Sequence, residues 1–340
     1  MFLFIPVINH VISCFLGLAV LRKRNRVTQG FRYTKGSAAN ILSGMRQYLY
    51  FTLYFLLPIL PSSVDTLVCF LEFMSLTSSY DHLKHLLFSV KFLHEAYDVP
   101  FPVNSFRLDM TLQGLKRRLA RVAFQVLPIT PTILRAIFSL LDLRKNEDLA
   151  LWCAYLISFY GLLRKKNAVP EGQKFEPRKV LTRQNFSIDL VDYRIYMYIG
   201  FSKTIQFGQR DLVLPIPGNQ DPVLDPVRHL HDLFTRVPCP PTCPAFTYGP
   251  GSYIAYGQFT KRLKTLLSRA GYRADQFSGH SFRRGGASFL HACGGSALQV
   301  QSAGDWSSGC FTRYLYLTTE ARLEAQLLMS RNINQMFSRL

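Results

Sequence analysis

Four successive segments with apolar residues at helical spacing occupy the first third of the chain. They run over residues 36–57, 64–76, 80–97 and 105–122, and serines stand where three of these helices should begin. Amphipathic helices of this kind bury their apolar faces against one another. The sequence therefore predicts a helical domain over residues 30–122, followed by a linker over residues 123–130.

A different pattern begins after the linker. Thr130-Pro131 is a typical helix start, and helices are predicted over residues 132–143 and 148–163. Segments rich in β-branched and aromatic residues follow, and the predicted strands are 186–190, 193–202 and 211–216. Further helices are predicted over 226–237, 256–270 and 319–337. The predicted fold is mainly α with a small antiparallel β-sheet, in which a mixed α/β domain over residues 131–340 follows the helical one.

The charge of the chain limits its partners. The 340 residues carry a formal net charge of +19, although 48% of them are hydrophobic and 14% aromatic. That apolar content excludes a disordered basic tail, and a folded basic protein of this kind points to a polyanion such as nucleic acid. Basic residues cluster on two predicted helices, and these are the predicted DNA contacts: Lys116, Arg117, Arg118, Arg121, Lys261, Arg262 and Lys264.

The N-terminal segment, residues 1–29, differs from the rest. Residues 2–21 are mostly apolar and a basic run follows them, which resembles a membrane anchor. Polar residues within the run favour the alternative of an apolar helix packed on the body, so its role stays open.

Cysteine usage indicates a reducing compartment. The seven cysteines show no disulfide framework. Cys239 and Cys243 follow His229 and His231, but this spacing matches no common zinc pattern. The sequence favours a proline-stiffened loop there, and no metal is predicted.

Four short motifs carry the chemistry. Arg164 stands where an apolar helix ends, in the run Gly-Leu-Leu-Arg, and Lys203 lies on a predicted hairpin. His280 and Arg283 form an HxxR box that is flanked by glycines. Trp306 follows in a Gly-Asp-Trp run, and Tyr314 comes eight residues after it.

This order of Arg, Lys, HxxR, Trp and Tyr resembles the tyrosine recombinase (phage integrase) family, in particular recombinases of eukaryotic mobile elements of the DIRS and Crypton kinds. The resemblance covers about residues 30–337, because a helical core-binding (SAM-like) domain before a mixed catalytic domain is the family's layout. It implies a site-specific recombinase or integrase that acts on double-stranded DNA in the nucleus. It also implies a synaptic tetramer, in which the helix at 319–337 docks onto a neighbouring subunit; the alternative is that this helix packs on its own domain.

The resemblance implies a role for each motif residue. Tyr314 is the nucleophile that forms a 3′-phosphotyrosyl link, Lys203 is the general acid, and His280 assists proton transfer. Arg164 and Arg283 are permanently charged planar groups that grip phosphate oxygens, and Trp306 donates its indole N–H to one of them. The reaction needs no metal, cofactor or ATP, because the phosphotyrosyl link preserves the energy of the broken bond.

Several alternatives stay open. Tyr316 competes with Tyr314 as the nucleophile, and Lys174, Lys179 and Arg210 compete with Lys203. Many family members have an acid where this chain has Asn167, so the bracing of the pocket is in question. At the level of the whole protein, the alternatives are a catalytically silent DNA-binding protein and a type IB topoisomerase-like activity.

Overall fold

The computed structural model describes residues 35–102, 104–120, 126–172, 175–201 and 212–316, together with Leu323, Gln326 and Leu327. The described residues are mainly helical with small antiparallel sheets, which confirms the predicted fold class. The chain divides into two compact units, Met1–Ala123 and Phe124–Leu340. The apolar segment 2–21 and most of the predicted helix 319–337 lie outside the described residues.

The first unit consists of helices whose starts are encoded locally. They are α1 (Lys35–Tyr54), α2 (Val64–Ser75), α3 (Tyr80–Ala96) and α4 (Phe106–Arg118). Ser63, Ser79 and Ser105 each accept a hydrogen bond from the backbone N–H three residues ahead, as N-cap residues do. Helix α4 ends four residues before its predicted end, because the Ala120 N–H turns back to the Arg117 carbonyl.

The second unit has helices before and after the predicted strands along the chain. They are α5 (Pro131–Phe138), α6 (Asn146–Tyr160), α7 (Lys165–Ala168), α8 (Pro226–Arg236), α9 (Tyr256–Arg269), α10 (His280–Ala292) and α11 (Ala297–Ala303). Short 3₁₀ turns occupy Arg183–Asn185, Ala274–Gln276 and Gly309–Tyr314. Thr130 caps α5 as predicted. Helix α5 stops at Phe138 rather than at residue 143, because the chain then turns and the Asp142 N–H bonds the Asp148 carboxylate at 3.0 Å.

The predicted strands form a three-stranded antiparallel sheet in the order β1 (Phe186–Asp189), β2 (Arg194–Ile199) and β3 (Leu212–Pro217). Phe186 pairs with Met197 and Ile199 pairs with Leu212. Strand β3 contains two prolines, which an edge strand tolerates. A separate short hairpin pairs β4 (Thr247–Gly249) with β5 (Ser252–Tyr253). The sequence pattern did not indicate it.

Helix α6 is the centre of the second unit. Its residues from Asp148 to Phe159 are all buried, as expected for a helix that is apolar on every side. It contacts α8 and α10, and its C-terminal end leads directly to Arg164. Within the part of the chain described here, no helix has both the length and the hydropathy that crossing a bilayer requires.

Candidate active site

Arg283 lies at the centre of the site and is only 2% exposed. One terminal nitrogen, Nη1, donates to the Leu162 carbonyl, and Nη2 donates to the Gly304 carbonyl at 2.6 Å. These carbonyls belong to the turn after α6 and to the turn after α11. The guanidinium therefore joins two motifs that are far apart in the sequence, the Gly-Leu-Leu-Arg run and the Gly-Asp-Trp run.

The glycines after the HxxR box allow α10 to come close to its neighbours. A Cβ on Gly285 would lie 1.8 Å from the Ile129 carbonyl oxygen, and a Cβ on Gly286 would lie 2.2 Å from that of Phe159. Both distances are far below any real contact, and backbone oxygens cannot move aside as a side chain can. Gly285 thus brings α10 against the segment before α5, and Gly286 brings it against the end of α6, close to where Arg283 meets the Leu162 carbonyl.

Aromatic rings cover the guanidinium of Arg283. Its central carbon lies 3.9 Å from the ring centroid of Trp306 and 5.3 Å from that of Tyr314. The two rings are 5.2 Å apart. Stacking of the cation on aromatic faces adds to the two hydrogen bonds that Arg283 donates to carbonyls. The structure therefore brings together Arg283, Trp306 and Tyr314, three of the residues that the motifs single out.

A serine that the sequence analysis missed holds the backbone at Tyr314. The Ser288 hydroxyl on α10 donates to the Tyr314 carbonyl at 3.2 Å and accepts from the Tyr316 N–H at 2.9 Å. The 3₁₀ turn that carries Tyr314 is thereby tied to the helix that carries Arg283. No motif marks this serine, and its position five residues after Arg283 is the only sequence signal.

Two non-glycine residues next to Arg283 have left-handed backbone conformations. Leu162 has φ of 47° and Asp305 has φ of 51°. Leu162 supplies one of the carbonyls that Arg283 binds, and Asp305 follows the glycine that supplies the other. Such conformations cost energy outside glycine and are concentrated at functional sites.

Arg164 lies beside this cluster and is half-buried. It shares the lining of a small cavity with Asn167, Arg283, Gly304 and Asp305. Burial, together with the nearby Arg164 guanidinium, lowers the pKa of Arg283 to about 10. Arg283 stays protonated at neutral pH, so the cavity wall carries the two positive charges of Arg164 and Arg283 and the one negative charge of Asp305. The net positive charge suits a phosphate group.

The other predicted catalytic residues are placed differently. His280 is the first residue of α10, one turn before Arg283, and its side chain is exposed. Lys203 lies outside the described residues, as do its rivals Lys174 and Arg210. The remaining rival, Lys179, pairs with Glu176 at 2.6 Å and lies over the Phe201 ring.

The alternative nucleophile, Tyr316, is 46% exposed. Its ring lies 5.7 Å from the guanidinium of Arg284. Tyr314, by contrast, contacts both Arg283 and Trp306. The geometry favours Tyr314.

The predicted DNA contacts fall into two kinds. Lys116 and Arg117 on α4 are exposed, and so are Lys261 and Lys264 on α9. Arg118 pairs with Glu72 at 2.6 Å, and Arg262 pairs with the largely buried Asp148. The charges of these two arginines are therefore neutralised by acids within their own units. Arg121 lies outside the described residues.

The segment with Cys239 and Cys243 forms a loop. The Arg183 N–H donates to the Cys243 carbonyl at 3.0 Å, and the Gln184 N–H donates to the Pro241 carbonyl at 2.9 Å. His229 instead turns its Nε2 to the carbonyls of Pro222 and Val223. Among the described residues, no group of three or more potential ligands could hold a metal ion.

Solved structures with the same fold are tyrosine recombinases. The XerH site-specific recombinase bound to palindromic difH substrate, in a post-cleavage complex, matches with a TM-score of 0.57 and 14% identity over 83% of this chain and 76% of that chain. The Tn1549 transposon integrase in complex with a circular intermediate DNA matches with a TM-score of 0.53 and 14% identity, over 81% and 87%. No family model and no curated protein matches the sequence. At 14% identity, the similarity to these solved structures establishes the fold alone.

Proposed function

We propose that this protein cleaves and rejoins DNA strands through a covalent link to Tyr314. The observation that carries the proposal is that the buried Arg283 contacts the Tyr314 ring, 5.3 Å from its centroid, and also lines a small cavity together with Arg164. A nucleophile that lies against a cation is placed to attack phosphorus while the same charge stabilises the transition state.

The chemistry balances with the side chains present. The Tyr314 oxygen forms a bond to phosphorus, the bond from phosphorus to the 5′ oxygen breaks, and the tyrosine proton passes to a base, for which His280 is proposed. The departing 5′ oxygen takes a proton from Lys203. The products are a 3′-phosphotyrosyl link and a free 5′ hydroxyl, which can attack that link and restore the strand.

Arg283 and Arg164 stabilise the charge that develops on the non-bridging oxygens. The two Arg283 carbonyl contacts position its guanidinium before substrate arrives, so little reorganisation is needed in the reaction. Its Nε is buried and has no hydrogen-bond partner among the described residues, so this N–H is one of the donors that the two carbonyl contacts leave unused.

Double-stranded DNA is the proposed substrate. The exposed Lys116 and Arg117 on α4 and the exposed Lys261 and Lys264 on α9 provide phosphate contacts on both units. Support also comes from the fold neighbours, since XerH and the Tn1549 integrase are described in complexes with DNA. We propose that residues 30–122 act as the core-binding domain and residues 131–340 as the catalytic domain.

One observation favours a second candidate, a DNA-binding protein without catalysis. Both terminal nitrogens of Arg283 already donate to backbone carbonyls, so fewer of its donors are available to a phosphate than in an open arginine pocket. Such a protein would bind DNA and form no covalent product.

The test is covalent capture on DNA. The substrate is a pool of nicked duplexes with a randomised core, from which cleavage releases a short fragment that carries the 5′ hydroxyl. Because that fragment diffuses away, the strand cannot be rejoined and the protein–DNA adduct accumulates. A denaturing gel detects the adduct. We expect an adduct with the wild-type protein, none with Tyr314→Phe, and a normal amount with the matched variant Tyr316→Phe. DNA binding without any adduct would establish the second candidate, and an adduct that survives Tyr314→Phe would reject Tyr314.

The finer assignments rest on the motif resemblance alone. They are the origin in a mobile element, the synaptic tetramer and the location in the nucleus. Imaging of a fluorescent fusion tests the location, and sizing of the captured adduct under native conditions tests the tetramer. A cytoplasmic signal or a monomeric adduct would contradict the corresponding assignment.

A further inference from the structure

Arg284, the residue after the central arginine of the site, is also buried. It is 7% exposed although it carries a permanent charge. Its guanidinium lies 5.7 Å from the ring centroid of Tyr316, within the distance at which a cation and an aromatic face attract each other. Neither Arg284 nor Tyr316 has a task in the proposed chemistry.

The chain is extended where it passes from Tyr314 to Tyr316. The 3₁₀ turn ends at Tyr314, and Leu315 has φ of −69° and ψ of 130°. Side chains two residues apart on an extended segment point to the same side. Both tyrosine rings therefore face α10, where Tyr314 meets Arg283 and Tyr316 meets Arg284.

Arg284 and Ser288 form one row on α10. They are four residues apart, so they lie on the same face of the helix, about one turn from each other. The Ser288 hydroxyl accepts from the Tyr316 N–H at 2.9 Å, while the Arg284 guanidinium contacts the ring of the same residue. Tyr316 is thus attached to one helix face at two points, its backbone and its ring.

This double attachment restrains the backbone at Tyr314. The Ser288 hydroxyl also donates to the Tyr314 carbonyl at 3.2 Å. A single hydroxyl would let the segment rotate about it, whereas a second contact two residues beyond Tyr314 resists that rotation. A fixed nucleophile reacts faster, because a small displacement from the attack geometry already costs much of the rate.

We propose that Arg284 is a positioning residue, which holds the ring of Tyr316 against α10 and so fixes the backbone that carries the nucleophile Tyr314. This inference rests on the proposed function. It gives Arg284 a role that is distinct from that of Arg283, because Arg284 acts through Tyr316 and not through the phosphate.

A double-mutant cycle on the rate of adduct formation tests this role. The DNA is the sequence recovered from the randomised pool, at a saturating concentration. We expect Arg284→Met, which keeps much of the side-chain length without its charge, to lower the rate about tenfold, and Tyr316→Leu to do the same. The double variant should also lose about tenfold rather than about 100-fold, because each substitution removes the same contact. The affinity for DNA should stay unchanged.

Tyr316→Phe separates the ring from the hydroxyl. Phenylalanine keeps the aromatic face that attracts the cation, so this variant should react at the wild-type rate. Because Tyr316 is 46% exposed, Tyr316→Leu should fold normally, and it tests the role independently of the buried Arg284.

A matched control lies in the same unit. The guanidinium of Arg183 is also buried, and it lies 3.9 Å from the ring centroid of Phe234 on α8. Arg183→Met and Phe234→Leu should lower the free energy of unfolding, as Arg284→Met does, but they should leave the rate of adduct formation unchanged. Urea unfolding measures the stability of each variant.

The outcomes separate this inference from the proposed function. If the wild type forms adducts and the single variants are unimpaired, lose only DNA affinity, or lose rate additively in the double variant, the positioning role is wrong and the proposed function stands. The same rejection follows if Tyr316→Phe is as slow as Tyr316→Leu, or if the Arg183 and Phe234 variants lose the same rate. If the wild type forms no adduct, the proposed function fails and the inference fails with it.

Discussion

At the scale of single residues, Arg283 shows how a charged side chain is kept inside the protein. Burying a cation is costly unless hydrogen bonds replace its water. Here the Leu162 and Gly304 carbonyls accept from its terminal nitrogens, and the Trp306 ring covers its face. Burial still lowers the pKa of Arg283, and the phosphate contact that we propose would offset this cost of burial.

Ser288 gives a prediction at this scale. Ser288→Ala removes both hydrogen bonds that hold the backbone around Tyr314, each worth about 1 kcal/mol. We expect the rate of adduct formation to fall about tenfold while DNA affinity stays unchanged, because the nucleophile loses its fixed position. Gel quantification of the adduct and a binding titration measure the two quantities.

The matched control for Ser288→Ala is Ser139→Ala. The Ser139 hydroxyl donates to the Ala136 carbonyl at 2.9 Å on an exposed helix end, so its loss should leave the rate unchanged. An unaltered rate in Ser288→Ala would show that the 3₁₀ turn keeps Tyr314 in place without the serine.

At the scale of elements, the crossing of α10 and α6 builds the site. Gly286 allows the two helix backbones to approach, and this approach places Arg283 within hydrogen-bond distance of the Leu162 carbonyl. A glycine in a helix normally weakens the helix by roughly 0.5–1 kcal/mol. In α10 the tertiary packing that Gly285 and Gly286 allow offsets this cost.

Gly286→Ala tests this crossing. Its methyl group would overlap the Phe159 carbonyl oxygen, so α10 has to shift, and we expect the free energy of unfolding to fall by about 1–3 kcal/mol. Urea unfolding followed by tryptophan fluorescence measures it, since both tryptophans, Trp152 and Trp306, lie in the second unit.

The control is Gly257→Ala in the exposed first turn of α9, where an added Cβ meets nothing within 4 Å. That variant should be neutral or slightly more stable. Equal stability of Gly286→Ala and the wild type would mean that the helices do not need the close approach.

At the scale of the whole molecule, the positive charge is distributed over both units. Residues 1–130 contain 14 basic and 6 acidic side chains, and residues 131–340 contain 26 and 15. A single basic tail would not give this distribution. Both units are therefore expected to contact phosphates, and the affinity for DNA should fall steeply with salt.

The salt dependence predicts which lysines bind. Lys116→Gln on α4 and Lys264→Gln on α9 should each reduce the slope of log affinity against log salt by about 0.9, the value for one lost phosphate contact. Lys84→Gln should leave the slope unchanged, because Lys84 pairs with Asp81 at 2.7 Å. Binding titrations on a fixed duplex from low to moderate salt give the slopes, and an unchanged slope in both test variants would refute two-unit binding.

Much of the fold was predictable because its signals are local. A cap such as Ser63 or Thr130 bonds an N–H three residues away, and the buried stripe of α3 repeats at helical spacing. Helix ends were less predictable, as α4 and α5 show, because turns and tertiary contacts decide where a helix stops. The hairpin of β4 and β5 was missed, since strands of three and two residues carry little pattern.

The sequence by itself predicted the residue set of the candidate site, because chemistry depends on residue type and the order of motifs is visible along one chain. Of that set, Arg283 contacts Trp306 and Tyr314 and shares a cavity with Arg164. Only the tertiary structure decided what holds Arg283, since its carbonyl partners are 121 and 21 residues away. The same is true of the contacts that Ser288 and Arg284 make to Tyr316. Backbone carbonyls are present at every residue, so the sequence carries no sign of which ones a folded chain will turn toward a buried charge.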